Sequence, residues 1–362
     1  MTRDGMNYAP TSAIKKQVVR PGEFVFAAAY FDHGHIYGQI NQLAEAGGAL
    51  KYVYDAQPER YAKVLQQYPN ARPAKAFDEI LNDPDVRLVT AAGVPCERCA
   101  AGLRVLDAGK DYWVDKSPFT TLDQLAAARK KTAETGRKYM VNYGERLGSE
   151  SCWHAGELVR GGALGRVLQV LNLAPHNLAK PSRPAWFFEK EKYGGILTDI
   201  GSHQFEQFLY FAGARDAEVL FARVENFANP DTPGLEDFGE ASLRMDNGAS
   251  AYARIDWFNP KGLRTWGDGR TFVLGEKGYL EIRKLLDVTR EGPGNKIYLV
   301  DDTGEQMIDC QGKVGLPFAG LLILDVLNRT EKAMTQEHAF KAAELSMKAQ
   351  QWADAARKAK SL

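Results

Sequence analysis

Short apolar runs alternate with amphipathic stretches in the first part of the chain, from residue 24 to residue 143. The amphipathic stretches, such as CERCAAGLRVLDAGK (96–110), have the spacing of helices. Strands that alternate with helices form βαβ crossovers, so this part is predicted to be a doubly wound parallel sheet. The strand-like runs are FVFAAAYF (24–31), LKYVYD (50–55), RLVTAAG (87–93), DYWVD (111–115) and KYMVNYGE (138–145).

The pattern changes after about residue 150, where several strand-like runs follow one another directly. Turn sequences such as DNGAS (246–250) and EKG (276–278) separate them. These features predict an α/β domain with a large, mostly antiparallel open sheet and helices that include residues 199–212. We therefore expect two domains, residues 1–148 with an N-terminal arm (1–22), and residues 149–362.

The charge balance and the hydropathy argue against two classes of partner, although a local basic patch stays open. Lys and Arg total 46 and Asp and Glu total 46, whereas nucleic-acid-binding domains usually carry a basic excess. The chain shows neither a secretory signal at its start nor a run of roughly 20 apolar residues that could span a bilayer. We expect a cytoplasmic protein without nucleic-acid or membrane partners.

The four cysteines, Cys96, Cys99, Cys152 and Cys310, are too few for a disulfide framework in 362 residues. Cys96 and Cys99 form a C-x-x-C pattern, which can be a redox pair or half of a zinc site. No second pair stands at metal-ligand spacing, and the pattern falls inside a helical stretch. We interpret it as part of a helix and predict no metal site.

The turn after the first strand, AAAYFDHGHIYG (27–38), is where such a sheet holds phosphate at a helix N-terminus. The usual signature is G-x-G-x-x-G, but only Gly34 and Gly38 are glycines here. His33 and His35 flank Gly34. They either contact phosphate or substrate, or fill the space that the missing glycines leave.

Asp55 ends the second strand, about 20 residues beyond the turn, where an acidic side chain accepts hydrogen bonds from the adenosine ribose. A carboxylate there repels a 2′-phosphate, which favours NAD over NADP. The alternative is that Asp55 caps the helix that starts at Pro58.

Three polar residues are candidates for acid–base chemistry. Lys116 follows the strand DYWVD at the carboxyl edge of the sheet, where its charge can stabilise a developing alkoxide; the alternative is an exposed loop lysine. Asp199 and His203 are four residues apart on a predicted helix and therefore point to one face. This pair suits a general base with an acidic partner, or else a capping aspartate and a core histidine.

These segments resemble the Gfo/Idh/MocA family, which comprises glucose–fructose oxidoreductase, inositol dehydrogenase and their relatives. DKSP (115–118) is similar to the family's E-K-P segment, and GGILTDIGSHQFEQF (194–208) to its G-G-x-x-x-D-x-G-x-H segment. YVYDAQPER (52–60) and GEKGYLEI (275–282) extend the resemblance over nearly the whole chain.

The resemblance implies a Rossmann domain followed by a domain whose sheet forms a homo-oligomer, a dimer or a tetramer. It implies hydride transfer between NAD or NADP and a hydroxyl carbon of a sugar, polyol or cyclitol, with Lys116 and His203 at the reacting hydroxyl and Asp199 beside them. The candidate substrate-binding residues, in the loop 175–192, are His176, Arg183 and Trp186. The candidate cofactor-binding residues are Ala29, Asp32, His33, Gly34, His35, Ile36, Asp55, Arg60, Gly93 and Pro95.

This chain departs from the family pattern at four places. Ala29 replaces the first glycine of the phosphate turn, and Asp115 replaces the glutamate before the lysine. Ser117 separates Lys116 from Pro118, and the segment 93–96 lacks the expected Asn and His.

Two other functions are compatible with these features. One is a redox-neutral enzyme that retains NAD and cleaves or epimerises glycosides. The other is a non-catalytic protein that senses a nucleotide, although Lys116, Asp199 and His203 together count against it.

Overall fold

The computed structural model describes residues 5–360, and these form two compact units. The first unit comprises Met6–Asn142 and Leu316–Phe340. The second comprises Gly5, Tyr143–Gly315 and residues 341–360. The predicted arm, 1–22, begins in residues 1–4, which lie outside the described residues.

The first unit contains a six-stranded parallel sheet in the order β3-β2-β1-β4-β5-β6. Its central strands are buried along nearly their whole length, as strands with helices on both faces are. This confirms the predicted doubly wound sheet. The strands are β1 (Val25–Ala29), β2 (Ala49–Tyr54), β3 (Arg72–Pro73), β4 (Val86–Ala91), β5 (Asp111–Asp115) and β6 (Tyr139–Asn142).

The helices of this unit alternate with its strands, and the strand order reverses at β1. The pairing aligns Ala29 with Tyr54 on one side and with Ala91 on the other, so the carboxyl ends of β1, β2 and β4 meet at one edge. Open α/β sheets bind ligands at such a reversal. The helices are α1 (His35–Glu45), α2 (Ala62–Gln67), α3 (Phe77–Asn82), α4 (Pro95–Asp107) and α5 (Leu122–Thr135).

The second unit contains an eight-stranded sheet in the order β14-β13-β12-β11-β7-β10-β9-β8. Only the pairing of β7 with β10 is parallel, which confirms the predicted, mostly antiparallel sheet. The strands are β7 (Val167–Pro175), β8 (Ala217–Glu225), β9 (Phe238–Met245), β10 (Ser250–Asp256), β11 (Arg270–Gly275), β12 (Gly278–Arg283), β13 (Lys296–Asp301) and β14 (Gly304–Asp309).

One face of this sheet is covered by helices, among which α10 packs on β7, β9 and β10. The predicted helix 199–212 is divided, because α9 ends at Asp199 and α10 begins after Ile200. Ile200 itself keeps right-handed helical angles, φ −71° and ψ −43°. The helices are α6 (Gly144–Leu147), α7 (Glu150–Arg160), α8 (Lys190–Tyr193), α9 (Ile196–Asp199) and α10 (Gly201–Ala212).

The last part of the chain contributes to both units. Helix α11 (Phe318–Asn328) belongs to the first unit, where Phe318 packs 5.6 Å from the buried ring of Trp113. Helix α12 (Gln336–Lys360) begins in the first unit and continues in the second. Among residues 5–360, no helix combines the length and the apolar character that crossing a bilayer requires.

Candidate active site

The turn between β1 and α1 is built differently from a glycine-rich phosphate turn. Ala29 is the last residue of β1, and Tyr30 follows with a left-handed φ of 58°, a conformation that glycine adopts most easily. Gly34 directly precedes α1. A Cβ on Gly34 would lie 2.5 Å from the carbonyl oxygen of Met6, so this glycine allows the backbone of the N-terminal arm to approach.

Asp55 is buried and bonded to the backbone of this turn. Its Oδ2 accepts from the N–H of Phe31 at 2.6 Å, and its Oδ1 accepts from the N–H of Gln57 at 2.8 Å. The residue that precedes the short 3-10 helix Pro58–Arg60 is Gln57, without a side-chain cap, so Asp55 does not cap that helix. Asp55 therefore ties the end of β2 to the candidate phosphate turn.

Asp32 and Arg60 complete this first group of predicted residues. Arg60 Nη1 lies 2.6 Å from Asp32 Oδ1 and 3.4 Å from Asp55 Oδ1. The guanidinium group is thus shared by two carboxylates, and the three side chains together carry a net negative charge.

A second group surrounds Asp115, the fully buried last residue of β5. His35 Nδ1 lies 2.9 Å from Asp115 Oδ1, and His33 Nδ1 lies 3.4 Å from Oδ2. Arg98 Nη2 also lies 3.4 Å from Oδ2. Burial alone would raise the pKa of Asp115, but the neighbouring His35 and Arg98 outweigh it and hold that pKa below its usual range.

His33 differs from Asp115 because burial dominates. Burial, together with the adjacent His35, lowers the pKa of His33 well below 6.5. The backbone N–H of His35 also donates to His33 Nδ1 at 3.3 Å, and a nitrogen that accepts a hydrogen bond carries no proton. His33 is therefore neutral at neutral pH.

Lys116 follows β5, and its loop is held by Arg98. The guanidinium group donates from Nη1 to the carbonyl oxygen of Lys116, and from Nε to the carbonyl oxygen of Gly93 at 2.6 Å. The peptide bond between Lys116 and Ser117 is cis. Lys116 is only 3% exposed, so it is not a solvated loop lysine.

The remaining predicted cofactor residues line the same sheet edge. Ile36 is fully buried in the first turn of α1, and Pro95 is the first residue of α4. Gly93 lines a cavity of about 200 Å³, whose walls combine apolar surface with charged residues. The lining residues include Tyr30, Gly93, Glu97, Ala101, Arg104 and Tyr112.

The C-x-x-C pair lies in the first turns of α4, where Cys96 is half-buried and Cys99 is buried. The two cysteines form no disulfide. Burial raises the pKa of the Cys99 thiol to about 11, which makes it a poor nucleophile at neutral pH. The interpretation of this motif as part of a helix fits its position.

In the second unit, Asp199 and His203 stand on either side of the junction between α9 and α10. Both are buried, with His203 2% exposed. The N–H of His203 donates to the carbonyl oxygen of Ile200 at 3.1 Å, and its ring lies 6.4 Å from that of Tyr143. The paired glycines before α9 both have left-handed φ values, 87° for Gly194 and 94° for Gly195.

The predicted substrate-binding residues come together around Trp257 in this unit. The His176 ring lies 5.4 Å from that of Trp257, and the Arg183 guanidinium group lies 5.2 Å from the same ring. Trp186 joins through Phe187, whose ring lies 5.3 Å from Trp257. Aromatic surface of this kind is common in carbohydrate sites.

Sequence reasoning missed two residues next to His176. Glu145 Oε1 lies 3.4 Å from His176 Nε2, and Glu145 Oε2 lies 2.9 Å from Lys284 Nζ. Burial alone would raise the pKa of Glu145, but Lys284 and the neighbouring histidines, including His203, hold that pKa well below its usual range. Glu145 could have been suspected from the sequence, because it is a charged residue shortly after the apolar strand β6. Nothing in the sequence around Lys284 pointed to this contact.

Comparisons with known proteins agree with the fold and with these segments. The model of the GFO/IDH/MocA C-terminal domain matches residues 153–281. The crystal structure of a candidate oxidoreductase from Erwinia carotovora atroseptica SCRI1043 superposes with a TM-score of 0.88, at 45% sequence identity, over 91% of this chain and 99% of that one. This chain therefore belongs to the Gfo/Idh/MocA family, as its sequence predicted.

Two curated relatives match over a shorter length. The uncharacterized oxidoreductase YhhX of Escherichia coli K12 is 30% identical over 209 residues, 56% of either chain. The scyllo-inositol 2-dehydrogenase (NAD(+)) of Bacillus subtilis 168 is 24% identical over 213 residues, 57% of this chain and 58% of that protein. The match thus spans just over half the length of each relative.

Proposed function

We propose that this protein is an NAD-dependent oxidoreductase that acts on a hydroxyl carbon of a sugar, polyol or cyclitol. The first unit binds the dinucleotide, and the second unit binds the substrate and forms the oligomer. Family membership supports the class of reaction, and the inositol dehydrogenase named above supports the class of substrate.

The observation that carries this proposal is the burial of both Asp199 and His203, on either side of the junction between α9 and α10. A histidine with a carboxylate close to it can take a proton and return it, because the carboxylate stabilises the imidazolium form.

Each residue has a separate role in the proposed reaction. A bound nicotinamide ring supplies the acceptor or donor for the hydride. His203 removes the proton of the reacting hydroxyl, and Asp199 orients His203. Lys116 stabilises the oxygen as negative charge develops, and in the reverse direction the proton moves back from His203.

NAD is favoured over NADP by the charges around Arg60. Asp32 and Asp55 already neutralise this arginine, so a 2′-phosphate would face two carboxylates and gain little from one guanidinium group. Asp55 also keeps lone pairs on both oxygens beyond its two backbone bonds, so it can still accept from a ribose hydroxyl.

Self-association through the outer face of the eight-stranded sheet is supported by its apolar side chains. Leu274 on β11 and Tyr279 on β12 are cross-strand partners and are 43% and 47% exposed. Met307 on β14 and Leu220 on β8 are also exposed. Exposed apolar side chains on adjacent strands, as Leu274 and Tyr279 are, mark an interaction surface, and a second copy of the chain is the partner we propose.

The test is a panel of neutral sugars and polyols, namely D-glucose, D-xylose, myo-inositol and scyllo-inositol, incubated with NAD or NADP. Reduced cofactor is measured by absorbance and products by chromatography. We expect net reduction of NAD with at least one member. Conversion without net reduction would favour the redox-neutral alternative, and binding of NAD without any conversion would favour a sensor.

A further inference from the structure

A buried polar cluster in the second unit has hydrogen-bonding capacity that the protein itself does not use. Its centre is Glu145 at the start of α6, 7% exposed, and Lys284 directly after β12, 6% exposed. The two charges lie 2.9 Å apart, although 139 residues separate them in the chain. The Gln204 amide donates to Glu145 Oε2 at 2.8 Å, and Lys284 Nζ donates to Gln207 Oε1 at 3.1 Å.

Glu145 Oε1 is an acceptor without a hydrogen bond among residues 5–360. Its neighbour is His176 Nε2 at 3.4 Å. His176 Nδ1 lies 3.0 Å from the carbonyl oxygen of Ala174, which can only accept, so Nδ1 carries the proton. At 3.4 Å, His176 Nε2 is at most a long contact for Oε1, and a carboxylate oxygen has two lone pairs, so Oε1 can accept a further hydrogen bond.

Lys284 offers the complementary donor. An ammonium group has three N–H bonds, and within the described chain Lys284 Nζ donates two of them, to Glu145 and to Gln207. Gln207 is itself fixed, because its Nε2 donates to the carbonyl oxygen of His203 at 3.1 Å. The ion pair therefore keeps one unused acceptor, Glu145 Oε1, and one unused N–H donor on Lys284 Nζ.

An acceptor next to a donor favours a hydroxyl group over an anionic group as the ligand. A hydroxyl can donate to Glu145 Oε1 and accept from Lys284 Nζ at the same time, whereas a carboxylate or phosphate can only accept. An anionic group would also meet the negative charge of Glu145 at close range. Leaving a buried carboxylate oxygen without a partner is costly, so the gain on binding a donor is correspondingly large.

The surroundings suit a sugar or polyol. The His176 ring lies 4.8 Å from that of Trp266 and 5.4 Å from that of Trp257, which places two indole rings next to the cluster. A Cβ on Gly269 would lie 3.1 Å from Lys284 Cε, so this glycine leaves room for the lysine side chain beside Glu145.

We propose that Glu145 Oε1 and Lys284 Nζ bind one substrate hydroxyl that does not react, and that they select neutral polyols and sugars over sugar acids. This inference rests on the proposed function, which it deepens by naming the substrate class. Glu145 and Lys284 determine specificity, while His203 and Lys116 act on the reacting hydroxyl.

The experiment compares the wild-type protein with Glu145→Gln, Lys284→Met and the double variant. The probes are the best substrate of the panel above, its monodeoxy derivatives and D-glucuronate. In the wild type, one deoxy derivative should lose about 10- to 100-fold in kcat/KM, the range for a hydrogen bond to a charged group. In Glu145→Gln that penalty should shrink to a few-fold, with KM changed more than kcat. If the reduced deoxy penalty of Glu145→Gln persists in the double variant, it is not caused by leaving Lys284 without its carboxylate partner.

A matched control is Glu344→Gln, which removes another buried carboxylate paired with lysine, Lys348 at 2.5 Å on α12. It should leave the deoxy penalty unchanged. The intrinsic fluorescence of the tryptophans beside His176 gives a second readout, binding of the same probes without turnover.

The two readouts separate the two hypotheses. Turnover with an unchanged deoxy penalty in Glu145→Gln overturns the hydroxyl subsite but leaves the proposed function intact. Fluorescence-detected sugar binding that Glu145→Gln weakens at least tenfold, without any turnover, supports the subsite and overturns the proposed function. Binding of none of the probes, or tighter binding of D-glucuronate than of the neutral sugars, overturns the subsite.

Discussion

Arg98 holds the main chain of Lys116, because its guanidinium group donates to the carbonyl oxygen of that lysine. The same group bonds the carbonyl oxygen of Gly93 and lies beside the carboxylate of Asp115. Arg98 is 1% exposed, so these bonds replace all of its hydration. The position of Lys116 thus depends on a residue of α4.

Replacement of Arg98 by Met should destabilise the protein and reduce turnover. It leaves the buried Asp115 without one of its positive partners, a change that typically costs about 3 kcal/mol or more in the free energy of unfolding. Urea unfolding measures this. Arg104→Met on the same helix removes an exposed pair with Asp78 and a contact over the Phe77 ring, and should cost less than Arg98→Met, about 1 kcal/mol. If both variants lost the same free energy of unfolding, Arg98 would have no special role in holding Lys116.

His203→Ala and Lys116→Ala should each lower kcat about 100- to 10,000-fold, the usual contribution of a positioned acid, base or charge. Affinity for NAD, measured by titration of the unliganded protein, should change far less, because neither residue is assigned to cofactor binding. A parallel loss of NAD affinity would show that the two residues are placed wrongly.

Asp55→Asn should relax the preference for NAD. The amide oxygen can keep one of the two backbone hydrogen bonds, but the negative charge that opposes a 2′-phosphate is lost. We expect the ratio of kcat/KM for NADP over NAD to rise about tenfold, which corresponds to about 1.4 kcal/mol. An unchanged ratio would leave Asp55 with only its structural role in the turn.

Acid should destabilise the fold through His33. Its pKa in the folded state lies below that of the unfolded chain, about 6.5, so the unfolded state binds more protons below that pH. Stability is therefore complete above about pH 6.5 and is lost as pH falls, by up to about 1.4 kcal/mol per pH unit. His33→Gln should flatten the curve of unfolding free energy between about pH 6.5 and 5. An equally steep curve in the variant would assign the loss to other groups.

The double variant Leu274→Glu, Tyr279→Glu should dissociate the proposed oligomer, because four charges across a two-fold interface repel and the apolar contact is lost. Light scattering after size-exclusion chromatography gives the mass. Val288→Glu, an exposed apolar residue after β12, should leave the mass unchanged. A monomeric wild-type protein would contradict the interface altogether.

The sequence predicted both sheets because their burial follows from local patterns: β1 and β5 are apolar on both faces, whereas β9 and β10 alternate. It also identified Lys116, Asp199 and His203 as candidates, since these lie in contiguous motifs. The ion pair of Glu145 with Lys284 could not be predicted, because 139 residues separate its members and only the tertiary fold brings them together. The contact of Arg98 with Lys116 also depends on the tertiary fold, although an arginine on the buried face of an amphipathic helix was a signal.

Gly34 carries a practical consequence for any form of this protein made in the laboratory. Since the main chain of Met6 lies against it, residues 6 and 7 form part of the wall around the turn that precedes α1. A tag or truncation that displaces these two residues should therefore disturb that turn, and measured affinities for NAD are comparable only between preparations that keep residues 6 and 7 in place.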